Sequence, residues 1–120
     1  MVHGEDSLDE ITITGRTKMT ELNDGKIKTY HVLPEDFGLK KAGVEDIKGY
    51  DAKRNADILL AVLKGEKSAR RDIVLMNASA SLVCAGAAKD FKSGMKLAAK
   101  SIDSGAALEK LQKLIEITNR

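Results

Sequence analysis

Aromatic residues are scarce in this 120-residue chain, which holds two Tyr, two Phe and no Trp. Readers of single-stranded nucleic acid stack bases on exposed rings, and Tyr30, Phe37, Tyr50 and Phe91 offer little for that purpose. The core is therefore expected to consist of Leu, Ile, Val, Ala and Met. A single cysteine, Cys84, excludes an internal disulfide and fits a reducing compartment. No apolar run approaches the length of a bilayer span, and the first twenty residues lack the apolar core of a signal peptide. A cytoplasmic location is expected, with no membrane partner. The net charge is only +2, so no strong global field draws the chain to nucleic acid. Its basic run, Lys64, Lys67, Arg70 and Arg71 around Glu66, is expected to be a solvated loop between helices.

Acid is concentrated at one end. Glu5, Asp6, Asp9 and Glu10 crowd the turn that follows Val2-His3-Gly4. Adjacent carboxylates on a loop suit a hard cation that carries a phosphorylated substrate. A cluster so near the first residue is expected to belong to a longer protein.

The first third of the chain has strand patterns. Ile11-Thr12-Ile13-Thr14 alternates apolar and polar residues and predicts a half-buried strand. Lys18 to Leu22 and Lys26 to Val32 flank Asn23-Asp24-Gly25 and predict a hairpin. Pro34, the single proline, ends the second of these strands, and a turn follows through Gly38.

The remainder is helical in pattern. Val44 to Lys48 predicts one helical turn, and Asp51 an N-cap. Ala56, Leu59, Leu60 and Leu63 share one face of the next helix, which Gly65 stops. From about Ala69 to Ala85 the pattern is apolar nearly all round, so that helix is expected to be buried on every side. Its small residues, Ala78 to Ser81, allow a close neighbour, and Cys84 is expected to sit there as a small buried hydrophobe. Ser93 is expected to cap a further helix with Met95, Ala98, Ala99 and Ile102 facing inward. Leu108, Leu111, Ile115 and Thr118 mark the inner side of the last one. The chain thus predicts a single partial domain, with strands, hairpin and acidic loop over 1–37 and helices over 38–120.

Several blocks together resemble the anthranilate phosphoribosyltransferase family. They are His3-Gly4-Glu5-Asp6-Ser7-Leu8-Asp9-Glu10, the PEDFGL stretch at Pro34 to Leu39, Asn55-Ala56-Asp57-Ile58-Leu59 with the later Leu63-Lys64-Gly65-Glu66, Asn77-Ala78, Ala85-Gly86, and Ile102 to Leu108. The resemblance implies an α/β fold, namely the C-terminal part of a phosphoribosyltransferase-type, nucleoside phosphorylase-like large domain. Short strands with a hairpin would precede about four helices. It also implies transfer of phosphoribosyl from phosphoribosyl pyrophosphate to the amine of anthranilate, in tryptophan biosynthesis. In that family an Asp-Glu pair binds Mg²⁺, and the matching residues here are Asp9 and Glu10. No catalytic residue is assigned. The family's glycine-rich diphosphate loop lies upstream of the matched blocks, so this piece is expected to be inactive alone and to pair with the upstream part or with itself. A competing expectation, of a different class, is a non-catalytic folding or interaction module that keeps the scaffold.

Two positions depart from the family pattern. Ser7 stands where Gly is usual, and a positive φ there would cost it steric strain. Arg16 stands where Pro is common. Glu5 and Asp6 are expected to be solvated, His3 to serve the loop or its packing, and His31 to be structural within its strand.

Overall fold

A computed structural model describes residues 1–120. Three antiparallel strands lie side by side in chain order: β1 (Val2–Gly4), β2 (Thr17–Asn23) and β3 (Lys26–Val32). Asn23 pairs with Lys26, leaving Asp24 and Gly25 as a two-residue hairpin loop. Both have positive φ, 48° and 75°. A type I′ turn needs that at both positions, and its twist matches the strands it joins. A short 3₁₀ turn at Pro34–Phe37 then leads into five helices. These are α1 (Val44–Ile47), α2 (Ala52–Leu63), α3 (Ala69–Cys84), α4 (Phe91–Asp103) and α5 (Ala106–Thr118). The expected α/β architecture is present: α1 is the helical turn anticipated at Val44 to Lys48, and α2 to α5 are the four longer helices.

Two apolar clusters hold the elements together. Ile11, Ile13, Met19, Val32 and Phe37 pack against Ile73 and Met76 of α3, which fastens the sheet and the acidic turn to the helical layer. Val62, Leu75, Ala98 and Ile102 join α2, α3 and α4. Aromatics contribute more than the composition suggested: Phe37 is buried, and its ring stacks on Phe91 with centroids 4.6 Å apart. The small residues of α3 act as expected. Gly94 of α4 sits so close to Ser79 that a Cβ there would lie 2.9 Å from the Ser79 carbonyl oxygen. Ser79, itself fully buried, donates to the Phe91 carbonyl at 2.8 Å.

Asp51 caps α2 by accepting from the Arg54 N–H at 2.9 Å. Ser68 caps α3 in the same way. The cap of α4 is Asp90 rather than Ser93: Asp90 Oδ1 accepts from the Ser93 N–H at 2.7 Å, while Ser93 Oγ accepts from the Asp90 N–H at 3.2 Å. The aspartate carboxylate is the stronger acceptor, so it takes the cap and the serine returns the bond from inside the first turn.

Four further expectations are corrected. Ile11–Thr14 forms no strand and is more than half-buried: Ile11, Thr12 and Ile13 are fully enclosed. Side chains, not a neighbouring strand, take up much of its backbone bonding. The strand that pairs with β2 is β1, inside the block read as the start of the acidic turn. Arg71 is not in a solvated loop: it lies in the first turn of α3, 4% exposed, and its Nη2 donates to Asp103 of α4 at 2.8 Å. Nor is α3 enclosed on every side. Val74 is 44% exposed and Cys84 is a free, exposed thiol. Finally, the expected inner face of α2 is only half covered: Ala56 and Leu59 are exposed, Leu60 and Leu63 are half-buried, and Val62 is the helix's one buried residue.

Candidate functional site

Residues 4–17 form a knot of short-range hydrogen bonds between β1 and β2. The Gly4 N–H donates to the Leu8 carbonyl at 2.9 Å, and the Ser7 N–H to the Gly4 carbonyl at 3.0 Å. Ser7 closes this turn with φ 75°, the left-handed conformation its glycine-like position foretold. Asp6 is the hub. Its Oδ2 accepts from the hydroxyls of Thr12 and Thr14 at 2.5 Å each, and its Oδ1 from the Leu8 N–H at 3.2 Å. Partial burial pushes the Asp6 carboxyl up, but the hydrogen bonds from Thr12, Thr14 and Leu8 outweigh it, so its pKa lies below the ordinary 3.8. Glu5 accepts from Arg16 at 2.8 Å, with His31 Nε2 3.8 Å away. Hydrogen bonding from Arg16 holds the Glu5 carboxyl below its usual range.

The far side of the turn is fixed by α3. The Asn77 side-chain amide accepts from the Ile11 N–H at 2.9 Å and donates to the Ile11 carbonyl at 2.9 Å. One amide thus satisfies both backbone groups of a residue that is 1% exposed. The Thr12 N–H finds Thr17 Oγ1 at 3.0 Å, and the Ile13 carbonyl accepts from the Ala42 N–H at 3.1 Å. With its backbone groups met in this way, the segment needs no strand partner.

Between these two anchored ends lie Asp9 and Glu10. Both are exposed, and they occupy a bend rather than an extended segment. Neither carboxylate accepts a protein hydrogen bond at normal range. Burial and then the charges of Asp9 and Asp6 push the Glu10 pKa above its ordinary 4.5. A carboxylate uncomfortable with its own charge, beside a second free one, is relieved by a cation.

The donor set decides which cation fits. No group of three or more His, Cys, Asp or Glu side chains converges to hold a metal. An all-protein cage for Ca²⁺ or a tetrahedral Zn²⁺ centre is therefore not built here. Mg²⁺ needs less from the protein. It takes one or two carboxylates and completes its shell with water and phosphate oxygens. Asp9 and Glu10, hard oxygen donors facing solvent, fit that requirement.

His3 is exposed on β1, opposite Lys18. Sequence reasoning missed two residues. Asp6 is engaged rather than solvated, and Asp6-Ser7-Leu8 has the spacing of an Asx turn, with the carboxylate bonded to the N–H two residues on. Asn77 is a lone amide inside an apolar helix, and a buried amide needs partners.

Glu10 and Leu8 also form one wall of an open cleft of about 550 Å³. Its other walls come from α1, α2, α3 and Leu111 of α5.

The family described as "Glycosyl transferase family, a/b domain" matches residues 1–108. The anthranilate phosphoribosyltransferase of Rhizobium rhizogenes is 56% identical over 119 residues, 99% of this chain and 35% of that protein. That of Rhodopseudomonas palustris is 52% identical over 98% of this chain and 35% of its own length. This chain thus spans about a third of the curated relatives it matches. Among solved structures, the Thermus thermophilus anthranilate phosphoribosyltransferase superposes with a TM-score of 0.87 at 33% identity, over 99% of this chain and 35% of that one. The Saccharomyces cerevisiae anthranilate phosphoribosyltransferase in complex with PRPP and Mg superposes with a TM-score of 0.85 at 30% identity, over 96% of this chain and 33% of that one. With the match running through the acidic turn, the sheet and the helices as far as the start of α5, the chain belongs to this glycosyl transferase family.

Proposed function

We propose that this chain supplies the Mg²⁺-binding turn of an anthranilate phosphoribosyltransferase, and that it acts together with a polypeptide corresponding to the remaining two thirds of such an enzyme. The observation that carries the reading is the unsatisfied pair Asp9–Glu10 in a turn whose other two acids are fully engaged. The likeness to a yeast enzyme complexed with PRPP and Mg supports the identity of the metal and of its phosphorylated donor.

The reaction joins C1 of the ribose to the amine of anthranilate. The C1–O bond to diphosphate breaks, pyrophosphate leaves with the bonding electrons, and the amine loses a proton. Bound Mg²⁺ would neutralise charge growing on the leaving diphosphate. Asp9 and Glu10 would hold the ion through one carboxylate each or through bound water. Asp6, Thr12 and Thr14 act as positioning residues, because their bonds fix the bend on which the acids stand. On this reading the chain alone is inactive and works in the cytoplasm, where its one free thiol, Cys84, stays reduced.

The test is reconstitution. The chain is co-expressed with the rest of the Rhizobium rhizogenes relative, and pyrophosphate release is followed with PRPP, anthranilate and Mg²⁺. Turnover is expected from the pair and from neither half. Asp9→Asn and Glu10→Gln should each lower it at least about a hundredfold, of the order of losing one strong transition-state contact. Full turnover with both acids neutralised sinks the reading.

A further inference from the structure

Asp9 and Glu10 sit between two fixed peptide planes. The plane entering Asp9 is held through the Leu8 carbonyl, which accepts from the Gly4 N–H at 2.9 Å. The plane leaving Glu10 is held through the Ile11 N–H, which donates to Asn77 Oδ1 at 2.9 Å. Between them, neither the Asp9 carbonyl nor the Glu10 N–H bonds to another protein group. A peptide unit is rigid, so a bond to its N–H constrains the whole plane and, with it, ψ of the preceding residue. For Glu10 that constraint comes from a side chain of α3, 66 residues beyond Ile11.

The Asn77 amide is itself fully committed. Its Oδ1 accepts from the Ile11 N–H, and its Nδ2 donates to the carbonyls of Ile11 at 2.9 Å and Ile73 at 3.0 Å. Turned over, the amide would set its oxygen against two carbonyls and its NH₂ against an N–H, so one orientation alone fits. Its helix neighbours Ile73 and Met76 are buried in the same apolar cluster as Ile11, which ties the amide to the core. The other hydrogen-bonding side chains of α3 serve different places. Arg70 goes to Lys48, Arg71 to Asp103, Ser79 to the Phe91 carbonyl and Ser81 to the helix itself. Asn77 is the one directed at the acidic turn.

We infer that Asn77 is a positioning residue for the Mg²⁺-binding acids: by gripping the Ile11 backbone from α3, it sets the direction in which the Glu10 carboxylate leaves the chain. The inference rests on the reading of Asp9 and Glu10 proposed above and adds to it a residue that touches neither metal nor substrate. An ion that draws only one or two carboxylates from the protein depends on how well those few are aimed. Loss of a group that orients a metal ligand typically costs about ten- to a hundredfold in metal affinity.

The test follows Mn²⁺, a paramagnetic ion that shares the preference of Mg²⁺ for oxygen donors, on the isotope-labelled 120-residue chain. Broadening of the amide signals is expected to centre on Asp9 and Glu10, and to vanish when Asp9→Asn and Glu10→Gln are combined. Asn77→Ala should raise the Mn²⁺ concentration for half-maximal broadening at least about tenfold. Asn77→Gln keeps an amide on a longer arm, so it fills the site if the alanine chain does not fold, and it should shift the midpoint in the same direction. Ile102→Val trims the second apolar cluster and lowers stability without reaching the turn, so it should leave the midpoint unchanged. Equal midpoints in the parent and in whichever Asn77 variants fold overturn the inference and leave the metal reading standing. A shift in Ile102→Val as large as that at Asn77 does the same, because general loosening would then explain both. A parent whose broadening is not centred on Asp9 and Glu10 sinks the metal reading and the inference with it.

Discussion

The two halves of the acidic turn have the same composition and opposite fates. Glu5 and Asp6 are each drawn into the protein, one by Arg16 and the other by two threonine hydroxyls and a backbone N–H. Asp9 and Glu10, three and four residues beyond Asp6, are left in solvent without such partners. The electrostatics divide in the same way. Asp6 is shifted down and favours its charge; Glu10 is shifted up and resists it. Composition says only that four acids are close together. Which ones build the loop and which are free for a ligand is decided by where Thr12, Thr14 and Arg16 bring their donors.

The most damaging change should be Asn77→Ala, which severs the turn from α3 without touching an acid. It strands the N–H and carbonyl of Ile11 in a site that is 1% exposed. Two buried backbone groups without partners cost about 3 kcal/mol in total. Denaturant unfolding should register that loss, and hydrogen exchange should speed up at residues 11–13 before the hairpin. An unchanged midpoint would mean that the anchored half does not depend on α3.

Next in size is Asp6→Ala. Three donors lose their acceptor, one of them the hydroxyl of fully buried Thr12, for about 2 kcal/mol. The equivalent Asp9→Ala should lie within about 0.5 kcal/mol of the parent, as exposed and unpaired side chains do. Equal effects at Asp6 and Asp9 would erase the distinction between the two halves. The Asp6 contribution also has a pH signature. Its folded pKa is depressed, so its stabilisation is complete above 3.8 and disappears as pH falls through the folded value.

Local chemistry was legible in the sequence wherever a single residue settles the backbone. Asp24-Gly25 marked the hairpin, Asp51 the start of α2, and Ser7 the left-handed turn. The Asp9–Glu10 pair came from the family likeness and not from spacing. What could not be read depended on contacts made from a distance. Ile11–Thr14 alternates as a strand does, but alternation cannot tell a strand ladder from bonding to Asp6, Thr17 and Asn77. The apolar run of α3 announced burial, yet burial needs neighbours, and those present leave Val74 and Cys84 uncovered. Arg71 read as a loop cation because its partner, Asp103, lies 32 residues away.

Ser7→Gly sharpens the comparison in the stabilising direction. Ser7 holds φ 75° at the junction of the two halves. A non-glycine residue in that region loses about 1 kcal/mol relative to glycine's free access. The gain is partly offset by the greater chain entropy that glycine brings to the unfolded state. A rise in the unfolding midpoint equivalent to about 0.5 kcal/mol is expected, with the hydrogen bonds of Asp6 unchanged. A fall would show that the serine side chain contributes more than its backbone costs.

The smallest effect has the most specific sign. Glu10 is exposed, so Glu10→Gln should move stability by only about 0.3 kcal/mol, but in a direction opposite to Asp6→Asn. Burial and the charges of Asp9 and Asp6 raise its folded pKa above the ordinary 4.5. Folding therefore favours the protonated form. That contribution is fully present below 4.5 and is lost as pH rises through the raised folded value. At pH 7 the parent carries an unrelieved charge that the amide lacks, so Glu10→Gln should melt slightly higher there. Near pH 4 the two should converge, while Asp6→Asn should remain below the parent. Low salt enlarges the contrast, because the repulsion from Asp9 acts through solvent and is screened by ions. A Glu10→Gln variant less stable than the parent at pH 7 would mean that the carboxylate has a partner in the turn, and the free half would then be no freer than the bound one.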